Sequence, residues 1–162
     1  MAVSTSATAK VTLPTDEQIL ITREFDAPPR LVYKAWTTPE LVKRWWTGRG
    51  DELTVCEIDL RVGGAWRYVM IAHGDMEVGF HGEYREIVPD ERHVTTEVYE
   101  GMPDGEALDT MTFTEIDGRT RIEILVDHQT PEHRDAHVNS GMEDGLQDAL
   151  DLIEDVVLEL AA

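Results

Sequence analysis

A single cysteine, Cys56, occurs among the 162 residues, so no disulfide can close within the chain. That suits a reducing compartment. Lysine is nearly as scarce, at Lys10, Lys34 and Lys43 only. The 14 basic residues face 33 acidic ones, for a formal charge of −19. Such a surface repels phosphate backbones and anionic headgroups, so neither nucleic acid nor a membrane surface is the expected partner. No apolar stretch comes near the roughly 20 residues that a bilayer-spanning helix requires. The first ten residues are small and polar, with no basic segment leading into an apolar run. No signal peptide or anchor is expected from them, and a cytoplasmic location is. What the chain does have is 41% apolar residues, enough to build a core.

Residues 1–16, rich in Ala, Ser and Thr, read as a flexible lead-in, and 17–162 as one domain. Near-alternating Ile19, Ile21 and Phe25 predict a strand. Asp26-Ala27-Pro28-Pro29 ends it, and Leu31, Val32, Ala35 and Trp36 then fall at helical spacing. Thr38-Pro39-Glu40 starts a second short helix with Leu41, Val42, Trp45 and Trp46 on its apolar side, stopped by Gly48 and Gly50. From Leu53 onward the pattern is strand-like. Turns are expected at Gly63-Gly64, His73-Gly74-Asp75, Pro89-Asp90-Glu91, 101–105 and Asp117-Gly118. Met76 to Val88 is long enough for one bent strand, with Gly79 and Gly82 as bend positions. Short turns between successive strands imply an antiparallel meander. Met142, Leu146, Ala149, Leu150, Ile153, Val156, Val157 and Leu160 step by threes and fours between acidic residues, which predicts a long amphipathic helix. The order predicts an α+β fold, in which about seven antiparallel strands curve around that final helix, with two short helices after the first strand.

Particular runs carry a family resemblance. They are Ile21-Thr22-Arg23-Glu24-Phe25-Asp26-Ala27-Pro28, Ala35-Trp36-Thr37, Arg44-Trp45-Trp46, Asp59-Leu60-Arg61-Val62-Gly63-Gly64-Ala65-Trp66-Arg67, His81-Gly82-Glu83-Tyr84-Arg85-Glu86-Ile87-Val88-Pro89-Asp90-Glu91-Arg92 and Met111-Thr112-Phe113. Across residues 18–160 the chain resembles bacterial proteins similar to the C-terminal domain of the activator of the heat-shock-protein-90 ATPase. These belong to the START-like, birch-pollen-allergen-like (SRPBCC) superfamily. The resemblance implies a helix-grip fold with an internal apolar pocket between sheet and final helix. It also implies Gly-Trp in that helix, where this chain has Gly145-Leu146, so the pocket is expected to differ in shape there.

The candidate ligand-binding residues follow. Trp36, Trp45, Trp46 and Trp66 can line a pocket for a flat ligand, or simply form core. On the central strands, Trp66, Tyr68 and Met70 share one face. His81 and Glu83 share another, where they are either polar handles inside the pocket or an exposed strand surface. Met111, Met142, Leu146 and Leu150 complete the candidate wall. His133 and His137 lie four apart, with Asp127 and His128 upstream, but the intervening residues lack a zincin glutamate, so no metal and no cofactor are expected. Cys56 lacks a visible base and reads as packing.

Three functions are then to be weighed. The first is binding of a small hydrophobic or aromatic molecule, such as a lipid or polyketide-like metabolite. The second is a cyclase- or hydratase-type enzyme using an interior His or Glu, and the third is a chaperone-associated stress protein. A chaperone partner rests only on the family name. A homodimer stays open.

Overall fold

Strand β2 (Gln18–Phe25) shows how the sheet is built. Its side chains alternate along the strand, and Ile19, Ile21, Arg23 and Phe25 are the buried set. The computed structural model describes residues 9–47, 52–72 and 75–162. In chain order the remaining elements are β1 (Lys10–Thr12), α1 (Pro29–Thr37), α2 (Pro39–Val42), β3 (Glu52–Ile58), β4 (Ala65–Ala72) and β5 (Met76–Val88). They continue as β6 (Arg92–Tyr99), β7 (Ala107–Ile116), β8 (Arg119–Asp127), α3 (Pro131–Val138) and α4 (Met142–Ala161).

The eight strands form one curved, open antiparallel sheet in the order β1-β2-β8-β7-β6-β5-β4-β3. Strand β1 is the addition to the expected set. It lies inside the segment read as lead-in and pairs with β2, Val11 opposite Ile21. The backbone of Ala9 is also held, by two hydrogen bonds of 3.0 Å to the Gln147 side chain on α4.

Helix α1 opens with Pro29 at its first position and buries Leu31, Val32 and Ala35. It ends at Thr38 because the residue before Pro39 is pushed out of helical geometry, with φ −107° and ψ 116°. Helix α2 is shorter than its sequence pattern and stops at Val42. Hydrogen bonds to Leu41 and Val42 carbonyls carry the turn on to Trp46. Gly48, Gly50, His73 and Gly74, to which the sequence assigns turns, lie outside the described residues.

Strand β5 runs unbroken for 13 residues as expected, but its register shift falls between Tyr84 and Glu86 rather than at Gly79 or Gly82. Gly82 has a different role. The Trp66 indole crosses over it to donate Nε1–H to the Thr96 carbonyl at 3.1 Å. A Cβ at position 82 would lie 2.6 Å from that nitrogen.

The concave face of the sheet meets α4, which is about 30 Å long. Gly141, at φ 83°, lets the chain turn into it. Leu150, Ile153, Val156 and Val157 are fully buried against the sheet and α1, each contributing on the order of 1.5–3 kcal/mol. Arg23 crosses the same seam. Its guanidinium reaches Asp151 at 3.0 Å and Glu154 at 3.6 Å, with its own side chain almost wholly buried. Among the described residues, no helix is long and apolar enough to cross a membrane.

Candidate ligand-binding site on the concave face

Strand register decides which side chains share the inside. Trp66, Tyr68 and Met70 of β4 pack into the core, as do Met111 of β7 and Leu150 of α4. Trp45 is buried with its indole N–H on the Ala35 carbonyl at 3.0 Å. Trp36 is half-buried, 4.9 Å from Trp45 and 6.3 Å from Phe25 between ring centres. Met142 and Leu146 sit at the margin of the core, partly buried. These candidate residues therefore all belong to the interior or its edge.

His81 and Glu83 do not. Both are exposed on the outer face, because Phe80 and Tyr84 take the inward positions of β5. His81 Nδ1 lies 2.9 Å from Glu100, which Arg67 also holds through two bonds of 3.0 Å. This is a surface ion cluster. The two guanidinium and imidazole partners draw the Glu100 carboxyl down to about 2.

Two aromatic groups line the concave face, the first running out to the exposed Tyr99. Trp66, Tyr68, Trp46, Phe80 and Tyr99 form a file with successive centroids 4.8–5.4 Å apart. Trp46 belongs to the tryptophan set weighed as pocket lining, whereas Phe80 and Tyr99 were not among the residues expected at the site. The second group surrounds His93 on β6, with Phe113 at 5.7 Å, Tyr84 at 6.0 Å and Tyr33 of α1 at 6.1 Å. Burial lowers the His93 imidazole to about 4, so it is neutral at physiological pH. It also raises the Tyr68 and Tyr84 phenols, which stay protonated. Cys56, opposite Tyr68, is lifted to about 11 chiefly by burial and remains a thiol, consistent with packing.

Titratable groups missing from the sequence-based candidate set gather at the other end of the concave face. Asp109 on β7 lies directly opposite Thr95 on β6 and Val126 on β8, and Glu97 is its diagonal neighbour. The two carboxyls are hydrogen-bonded, which requires a proton between them. Burial and the charge of Glu97 raise Asp109 well above the carboxylate range, so Asp109 holds that proton.

His128 follows β8, and its Nε2 lies 2.8 Å from Nδ1 of His137 on α3. Burial lowers both imidazoles, His128 to about 4. Two neutral rings sharing one hydrogen leave no ligand pair free to chelate. Among the described residues, no group of three His, Cys, Asp or Glu side chains is placed to hold a metal ion. Thr130 caps α3, its hydroxyl accepting from the His133 N–H, and so helps set the orientation of His137.

Four buried atoms on this face have no hydrogen-bond partner among the described residues: His93 Nδ1, Asp109 Oδ1, His128 Nδ1 and, at the Arg23 clamp, Arg23 Nε. An alternation test could have found Asp109, but on β6 it favours Val94 and Val98 as the inward row and so hides His93. His93, Thr95 and Glu97 recur at every second position of β6, and Asp109 interrupts the apolar row Ala107, Met111, Phe113. Outside the concave face, an open groove of about 800 Å³ runs along the rim between Pro28–Arg30, the β5–β6 turn and the end of β7. It shares Phe113 with the His93 box.

The sequence model of the family described as "Activator of Hsp90 ATPase homolog 1-like protein" matches residues 26–157. The chain belongs to this family. This Hsp90-activator-like family is of the SRPBCC type, and its fold commonly binds hydrophobic ligands. A Rhodobacter sphaeroides protein is similar at TM-score 0.86 and 27% identity, over 94% of this chain and 99% of its own. One from Chromobacterium violaceum is similar at TM-score 0.75 and 28% identity, over 86% and 96%. A Nitrosomonas europaea protein, at TM-score 0.82 and 22% identity over 92% and 99%, shares the fold. No curated protein matches the chain.

Proposed function

We propose that the protein binds a small hydrophobic or aromatic molecule between the concave face and the first turns of α4. One observation carries this reading. A face otherwise walled by aromatic and aliphatic side chains holds buried polar atoms that have no protein partner among the described residues. Leaving such an atom unpaired costs about 1–3 kcal/mol, which a bound molecule with one or two polar groups offsets. The apolar wall supplies affinity, and the polar atoms supply orientation. Met142 and Leu146, at the margin of the core, are only partly buried.

Titration with Nile red, an uncharged apolar dye, tests this, alongside native mass spectrometry of freshly purified protein. Saturable binding near one dye per chain, displaced by whatever molecule co-purifies, is expected. A folded protein that takes up neither dye nor any co-purifying molecule would overturn the reading.

A second reading has its own observation. The Asp109–Glu97 pair holds one proton beside neutral imidazoles, an arrangement able to give and accept protons in a cyclase- or hydratase-type reaction. On that reading Asp109→Asn and Glu97→Gln abolish turnover of a bound substrate while dye binding persists. His81 and Glu83 play no part in it, since both lie outside.

A further inference from the structure

The chemistry of the polar end limits what kind of molecule it accepts. Glu97, Asp109, His128 and His137 come from β6, β7, the end of β8 and α3, and they meet under the β6–β7 loop. That loop is held there: Gln129 Nε2 donates to the Glu106 carbonyl at 3.1 Å, and a Cβ at Gly105 would touch the His133 ring. A carboxyl pair joined by one proton presents one negative charge and several lone pairs. Asp109 Oδ1 is buried and accepts no hydrogen bond from the described residues, and Glu97 is the diagonal neighbour of Asp109 across β6 and β7. Glu97 retains further acceptor capacity. His93 Nδ1, nine-tenths buried and also unpartnered, lies on the same face two residues along β6 from Thr95, which is opposite Asp109.

Among the described residues, no lysine or arginine is paired with this end. Arg23, the buried arginine of the concave face, is committed to Asp151 and Glu154. Arg134 of α3 is turned to the Thr15 carbonyl at 2.9 Å and to Asp135 at 2.9 Å. Lys10, Lys34 and Lys43 are all exposed. A ligand carboxylate or phosphate buried here would meet Glu97 without a counter-charge, whereas a hydroxyl or amine would find waiting acceptors.

We infer that the ligand is an apolar molecule whose buried polar end is a neutral hydrogen-bond donor, an alcohol or phenol, and that Glu97 with Asp109 selects against fatty-acid-like anions. This rests on the interior-binding reading above.

The probes are 2-naphthol and 2-naphthoate, with decanol and decanoate as an aliphatic pair, each competing with Nile red at neutral pH. The alcohol of each pair is expected to displace the dye at least about tenfold more effectively than its carboxylate. Glu97→Gln, checked for a native circular dichroism spectrum, is expected to narrow that gap to within a few-fold by removing the carboxylate charge at that end. Carboxylates that compete as well as or better than the alcohols would overturn the selection while leaving interior binding intact. A gap unchanged in Glu97→Gln would overturn the role of the pair. Absence of dye uptake would instead remove the binding reading, and this inference with it. The wild-type comparison decides the selection whether or not the variant folds.

Discussion

From Ala149 onward, α4 sets Leu150, Ile153, Val156 and Val157 against the sheet with almost no exposed surface. Before that point Met142 and Leu146 are only half-buried, and Glu143, Asp144 and Gly145 face solvent. One amphipathic stripe runs through both halves, yet the two are held differently. The far half packs on α1 and is clamped by Arg23. The near half is tied by Gln147 to the Ala9 backbone and meets α3. The far half holds the fold together, and the near half forms a looser margin of the core.

Substituting the same charge in each half should break this comparison if it is wrong. Leu150→Asp places a carboxylate in the dry seam and is expected to unfold the domain. Met142→Asp is expected to leave a cooperative thermal transition, shifted by a few degrees. Equal losses in calorimetry would show that both halves are core.

Arg23→Ala removes the clamp and leaves Glu154, whose carboxyl is already raised by burial, without its guanidinium. Breaking a buried pair costs about 3–5 kcal/mol, to be read from urea denaturation.

The His93 box makes a pH-dependent difference. Burial depresses this imidazole from 6.5 to about 4, so the unfolded chain takes up a proton in that interval and the folded chain does not. The stability His93 confers is complete above pH 6.5 and falls as pH drops towards 4, by on the order of 3 kcal/mol. His93→Phe keeps an aromatic ring among Tyr33, Tyr84 and Phe113. Its stability relative to wild type should therefore rise across that interval. Parallel stability curves would place the imidazole in water rather than in the box.

Leu146→Trp restores the indole that the family resemblance implies in α4. It is expected to weaken Nile red uptake several-fold with little change in melting temperature. Unchanged affinity would move the ligand away from the near half. Glu100→Gln, on the outer face, should alter neither binding nor stability measurably, because its ion cluster is solvated.

Periodicity reports the local period but not the face. That is why the elements were legible and part of the site was not. The alternation of β2 and the stripe of α4 were readable because each side chain repeats the same binary choice. His81 and Glu83 were readable as a same-face pair, but which face required the register of β5 against β4 and β6. Asp109 and Glu97 are twelve residues apart in sequence, and their contact exists only because β6 and β7 pair in one register. His137 was readable as one of two histidines at helical spacing. Its true partner is His128 across an element boundary, not His133 on the same helix.

By itself the sequence determined the eight-element body of sheet and long helix, the acidic surface and the family, because these depend on period, composition and motif. The tertiary structure decided that Arg23 is a buried clamp, that β1 extends the sheet, and that Asp109 and Glu97 become diagonal neighbours on the concave face. The physical reason is the same throughout. Charge states and unpaired atoms arise from burial and from neighbours distant in sequence, and only strand register and helix docking create those.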